Sequence, residues 1–268
     1  MVSVWNIPGV AAADAGAGTV TMDADGMRIN MEITLPKKER PKKEKEPPAA
    51  PERPAAPIGN VLEEQRFPEP VYFQSVDCVG VPNFFSTPEC RKIVDYAETL
   101  RFSVQQRARV LNMQWVDIVD GDFAEAIWSL CGLGWFFRTI SVDGLVPCGL
   151  NEVIRIQKYG QGCLFGRHTD QYVKRADGKV SKYSLRVFLN GREERWFEGG
   201  MSAFHVPFRQ EPVVFEPETG LALLYPQGEH CAVQEETEVF AGTKYVLRAD
   251  VLFCRPEDLP PHRRPGAP

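Results

Sequence analysis

The residues best placed to do chemistry are His168 and Asp170, separated by one threonine, and a second imidazole, His230, further along the chain. The run Phe165–Gln171 reads as a β-strand. Side chains alternate faces along a strand, so His168 and Asp170 are expected to point the same way and Thr169 the other way. Two imidazoles and one carboxylate on a shared face form the facial triad of a non-haem Fe(II) centre, which leaves its remaining coordination positions open. Two other histidines compete for the role. His205 is followed closely by Pro207, which suits a ligand strand poorly, and His262 lies in a proline-rich tail. Asp117, Asp120 and Asp122 read as a loop and a helix cap rather than a metal cluster.

Bulk properties narrow the setting. The chain has 268 residues, enough to bury a sizeable core. With 43% hydrophobic and 25% charged residues, it has the composition of an ordinary globular protein. The net charge of -5 lacks the basic footprint of a nucleic-acid binder, so a nucleic-acid partner is not expected. No run approaches the ~18 apolar residues of a membrane span, and no secretory signal pattern opens the chain. Seven cysteines at irregular spacing, without a Cys-X-X-Cys pair, read as reduced thiols in a cytoplasmic or nuclear protein.

Four segments are expected. Residues 1–35 contain Asp25-Gly26 between two stretches of rough alternation, the signal of a hairpin that must dock on something. Residues 36–65 are rich in Pro, Lys and Glu and read as an extended, disordered linker. The basic cluster Lys37 to Lys45 within it is interrupted by glutamates and reads as a solvated stretch before an import address. Residues 66–256 form the main domain, and residues 257–268 a proline-rich tail.

The elements that must position the candidate ligands follow from local patterns. Val71-Tyr-Phe reads as a first strand. Ser86 or Thr87 can cap a helix, with Pro88 in its first turn and Glu89 placed for a capping box. Cys90, Ile93, Val94, Ala97 and Leu100 supply its apolar face. A second helix is predicted from Asp122, with Phe123, Ile127, Leu130 and Cys131 as its stripe. Beyond residue 151 the pattern changes to short β-branched and aromatic runs between Gly, Pro and Asn: 152–159, 165–171, 183–190, 201–205, 213–216, 221–226, 231–234 and 243–253. The predicted fold class is therefore mostly β. A double-stranded β-helix (jelly-roll, cupin-like) forms the core, with supporting N-terminal α-helices.

Several stretches taken together resemble a family. They are Phe84-Phe-Ser entering a helix, Gly149-Leu-Asn-Glu-Val-Ile-Arg-Ile-Gln-Lys-Tyr159-Gly-Gln-Gly before His168-X-Asp170, and Leu189-Asn at a strand end. Glu198-Gly-Gly before a strand and Gly242-Thr-Lys-Tyr-Val-Leu-Arg248 complete the set. Residues 70–255 are similar in this order to the Fe(II)/2-oxoglutarate-dependent dioxygenases of the prolyl-4-hydroxylase-like branch.

The resemblance implies an enzyme that uses Fe(II), 2-oxoglutarate and O2, with ascorbate as a further cofactor, to hydroxylate a C–H bond. It makes His168, Asp170 and His230 the iron ligands. Lys244 is implied to hold the distal carboxylate of 2-oxoglutarate, with Arg248 on the same strand face as the alternative. Tyr159 is implied to hydrogen-bond the cosubstrate. Arg186, in phase with Ser184 and Phe188, stands where related proteins carry an apolar residue. A buried arginine must be paired or meet an anion, so it is a candidate for cosubstrate or substrate binding. Arg155, in phase with Gln157 and Tyr159, is a candidate substrate contact or a structural ion pair with Glu152 or Asp250. Phe165, Phe188 and Leu223 are expected to wall the pocket. The loop from His230 to Lys244 is longer than the family's commonest form.

The branch implies a protein side chain as substrate. A small molecule stays open. A nucleic-acid oxygenase is disfavoured by Asp250, which stands where such enzymes carry an arginine. The rival from another class is an inactive metal-binding interaction module, which a missing ligand would favour.

Overall fold

The computed structural model describes residues 58–259, except 59, 63, 68, 108, 109, 193–195 and 208. The chain divides into two units, Met1–Pro51 and Glu52–Pro268, and all described residues belong to the second. The hairpin expected in 1–35, most of the linker expected in 36–65 and the tail after 259 lie outside the described residues. One boundary is corrected. Val61 and Leu62, assigned to the linker, are buried in the main core, because two apolar side chains there meet an apolar surface they can cover. Ile58 N–H also bonds Asp120 Oδ2 at 3.0 Å.

In chain order the elements are β1 (Val71–Phe73), β2 (Cys78–Val81), α1 (Thr87–Glu98), β3 (Ser103–Arg107), β4 (Val110–Val119), α2 (Gly121–Leu130), α3 (Leu133–Phe137), β5 (Val146–Leu150), β6 (Val153–Tyr159), β7 (Leu164–His168), β8 (Val180–Phe188), β9 (Phe197–Gly199), β10 (Ser202–His205), β11 (Val213–Phe215), β12 (Ala222–Pro226), β13 (Val233–Glu236), β14 (Val239–Gly242) and β15 (Lys244–Cys254).

Helix α1 forms where its sequence signals placed it. Ser86 and Glu89 make a reciprocal capping box and Pro88 sits in the first turn. Glu89 also receives both arms of Arg66, at 2.8 and 2.6 Å, which ties the entering chain to the helix start. Burial pushes the Glu89 carboxyl up, but bonds from Arg66 and Ser86 more than offset this and hold it below its ordinary value of 4.5. Its stabilisation is therefore present above that value and lost as pH falls through the lowered one. Wild type is expected to exceed Glu89→Gln by about 1–3 kcal/mol at neutral pH. In urea melts run against pH, the gap should close below 4.5. A gap that stays constant into acid would remove the charge from the explanation.

Asp120 caps α2 by accepting from Phe123 N–H at 2.9 Å. Strands β3 to β5 and helix α3 had no clear sequence signal, since their residues show neither clean alternation nor a helical stripe.

Strand order resolves the core. A run β12-β8-β15-β6 continues through β4 into β7-β13-β10-β11, all by antiparallel pairing. Two four-stranded halves joined in this way are the double-stranded β-helix expected from the sequence. Alternation sorts the side chains into two cores. Leu185 and Val187 of β8, Leu224 of β12 and Leu247 of β15 face the helices. Phe188, Leu223, Tyr225 and Val246 join Tyr159, Phe204 and Phe215 in the second core, between the two halves. Arg186, Lys244 and Arg248 follow the second phase, so the strand period carries three cations toward that interior. None of the seven cysteines lies in a disulfide, and no helix among the described residues is long and apolar enough to cross a membrane.

Candidate active site

His168 ends β7, so Asp170 lies just beyond the strand rather than within it, which corrects the predicted strand 165–171. The two side chains still meet: His168 Nε2 stands 3.6 Å from Asp170 Oδ1. The ring is oriented by its other nitrogen, Nδ1, against Gly166 O at 2.9 Å, and by a parallel stack on Phe165 with centroids 3.7 Å apart. Nε2 is buried and has no hydrogen-bond partner. Burial lowers the His168 pKa, which favours the neutral imidazole that a metal requires.

Asp170 is held through one oxygen. Oδ2 accepts from Ser184 Oγ at 2.8 Å and Tyr225 OH at 3.0 Å, and pairs with Arg248 Nη2 at 2.8 Å. Burial pushes this carboxyl up, but Arg248 and Arg186 more than offset it, so it stays ionised. Oδ1 is thus turned toward His168 Nε2, and one cation could touch both. His168 borders a shallow cleft of about 400 Å³ lined also by Arg167, Thr169 and Val233.

His230 does not complete a triad. It is exposed, on a short helical turn Gly228–His230. Among the described residues no group of three His, Cys, Asp or Glu side chains could hold a metal ion. The reason is register. The strand predicted at 231–234 begins at Val233, and the residue paired with His168 across the sheet is Gln234. Gln234 is fully buried, and its amide oxygen is engaged by Arg186 Nη2 at 2.7 Å. His205 pairs with Glu235 at 2.8 Å and takes no part.

Deeper in the barrel the expected cosubstrate residues are brought together. Lys244 pairs in register with Tyr159, and its Nζ lies 4.9 Å from the Tyr159 ring centre. Tyr159 is wholly buried, with its hydroxyl donating to Gln157 Oε1 at 3.3 Å. Lys244 Nζ donates to Gly200 O at 2.7 Å and to Glu236 Oε2 at 2.5 Å. Arg186 Nη1 reaches Glu236 Oε1, also at 2.5 Å. Burial raises the cost of charging Glu236, yet Arg186 and Lys244 hold its carboxyl below the ordinary value. Glu236 was not among the residues singled out from the sequence.

Arg248 does not share this anion. It serves Asp170, which separates it from Lys244. Arg155 lies half-exposed in an ion pair with Asp117 at 2.7 Å, because β4 and β6 place these two residues directly opposite. The partner is Asp117, not the expected Glu152 or Asp250. Of the expected pocket walls, Phe165 stacks on the candidate ligand, while Phe188 and Leu223 are closed into the interior core.

The residues fit Fe(II) in part: two donors converge, and the third expected one faces solvent. The expected anchor of 2-oxoglutarate, Lys244, is paired with Glu236, so the cosubstrate would have to displace that carboxylate.

No protein-family model and no curated protein sequence matches the chain. Among solved structures, a prolyl hydroxylase from Trichoplax adhaerens, in complex with a hypoxia inducible factor peptide fragment, is 18% identical. The likeness covers 66% of this chain and 83% of that one, with a TM-score of 0.51. A viral collagen prolyl hydroxylase from Paramecium Bursaria Chlorella virus-1 is 16% identical over 66% of this chain and 96% of its own, with a TM-score of 0.49. A Pseudomonas putida prolyl-4-hydroxylase is 15% identical over 67% and 92%, also with a TM-score of 0.49. The fold is that of the prolyl-hydroxylase-like 2-oxoglutarate and iron oxygenases.

Proposed function

We propose that this domain is an iron- and 2-oxoglutarate-dependent oxygenase of the prolyl-hydroxylase type, acting on a protein side chain. One observation carries the reading. A buried imidazole nitrogen without a partner faces a carboxylate oxygen at 3.6 Å, inside the fold such enzymes use. A buried polar atom left unpaired is costly, and a bound cation would satisfy it. Fe(II) bound there would supply the oxidising chemistry with O2. The chain's own part is to hold His168 neutral and oriented, keep Asp170 ionised, and exclude water from the interior. The Trichoplax neighbour's peptide complex supports a protein segment as substrate class.

A second reading, an inactive metal-binding interaction module, is favoured by a separate observation. Gln234 stands opposite His168 with its oxygen committed to Arg186, and His230 faces solvent.

Anaerobic titration with Fe(II), or with Co(II) as a spectroscopic substitute, tests the metal pair. His168→Ala and Asp170→Asn are each expected to weaken metal binding by at least about 10–100-fold, the range already reached by losing outer partners of a ligand. Unchanged, stoichiometric metal in the His168→Ala variant would remove the pair from the proposal. Succinate formation from 2-oxoglutarate by the metal-loaded protein supports the oxygenase. Metal binding with no succinate supports the module.

A further inference from the structure

The interior holds a completed anion site whose anion belongs to the chain. Glu236, Arg186, Lys244 and Ser202 are all buried, with at most 4% of any of them exposed. The Glu236 carboxylate accepts from both cations, and Ser202 Oγ lies 2.8 and 2.7 Å from its two oxygens. Lys244 is walled by the Tyr159 and Phe188 rings, and Arg186 by Tyr225 and Phe204. A fixed ammonium, a guanidinium and a hydroxyl converging on one carboxylate in an apolar enclosure are what a pocket for a small carboxylic acid would present.

We infer that Glu236 is an internal occupant of this site, and that it decides whether the chain takes 2-oxoglutarate at Lys244. A free carboxylate must displace the tethered one. Its apparent affinity is therefore reduced by the small fraction of molecules in which Glu236 has left Lys244. Without Glu236, two buried cations face each other with no anion between them, and an external carboxylate becomes the means of neutralising them. The inference rests on the proposed function for its choice of 2-oxoglutarate as the probe.

The test is calorimetric titration of the full chain with 2-oxoglutarate, and separately with acetate, in EDTA so that metal plays no part. The proteins are wild type, Glu236→Ala and Glu236→Ala/Lys244→Met. Glu236→Ala is expected to bind 2-oxoglutarate at least about tenfold more tightly than wild type, and the double variant to lose the gain. Wild type binding as tightly as Glu236→Ala, or a folded Glu236→Ala that binds neither acid, overturns the inference. If Glu236→Ala does not fold alone, recovery of its folded circular dichroism by either acid supports the inference. Absence of recovery, together with a folded Glu236→Gln variant no tighter than wild type, overturns it. Co(II) loading of the same proteins without EDTA reports on His168 and Asp170 separately, so failure of the metal reading is distinct from failure of this one.

Discussion

Arg186→Met is expected to destabilise the domain by about 3–5 kcal/mol, because it removes one of the two cations paired with buried Glu236 and leaves the buried Gln234 oxygen without its donor. Arg186 lies inside the barrel and binds Glu236, Gln234 and Ser202, three groups on two strands of the opposite half. Methionine is of similar length but offers no donor, so Glu236 would retain Lys244 and Ser202 alone, and the Gln234 oxygen would lose its donor. Lys244→Met should cost less, since besides Glu236 the Lys244 ammonium serves only Gly200 O, whereas Arg186 also serves Gln234 and Ser202. Urea unfolding of both variants checks this. A loss below about 1 kcal/mol for Arg186→Met would mean the site relaxes or admits water, and that the network is not what joins the halves.

Gly242→Ala is the second large expected effect, at about 2–4 kcal/mol. Gly242 has φ +75, in the left-handed region. A Cβ there would stand 2.0 Å from Trp196 O and 2.8 Å from Phe197 Cα. These are backbone atoms of the segment paired with β14, so no side-chain rotation relieves the collision. The Thr243 N–H bond to Trp196 O would also be disturbed. Because Lys244 follows two residues later, the damage should reach the anion site. The variant's melting temperature gives the stability, and 2-oxoglutarate binding in a Gly242→Ala/Glu236→Ala background reads the displaced Lys244. A melting temperature equal to wild type would show that this backbone can move freely.

The two candidate sites share a design. Arg186 and Arg248 are paired in register on neighbouring strands, so like charges lie side by side in the interior. Each is neutralised by its own carboxylate, Glu236 for one and Asp170 for the other. Asp170 therefore has two uses for two oxygens: Oδ2 steadies the barrel and Oδ1 remains for chemistry beside His168. Glu236 has both oxygens committed. That difference leaves one carboxylate oxygen open at the first site and none at the second.

The sequence by itself determined whatever depends on near neighbours. The capping box at Ser86, the Asp120 cap, the alternation that turns Ser184, Arg186 and Phe188 inward, and the pair His168 and Asp170 all rest on spacings of a few residues. That Lys244 stands beside Tyr159 came from the pairing of β15 on β6, and the sequence implied it only through the family resemblance. The third ligand position did not rest on near neighbours either. It depends on where β13 begins, which sets which residue lies opposite His168: Gln234, in the same strand phase as His230 but four residues later. The chain at Gly228–His230 took a helical turn, β13 began at Val233, and Gln234 and Glu236 became the inward residues. The long His230-to-Lys244 interval departed from the family's spacing, but it did not say which of its two ends was displaced. That Glu236 meets Arg186, 50 residues away, was decided only when the two halves of the barrel closed on each other. A buried charge is tolerated only with its partner, and the partner is chosen by tertiary packing.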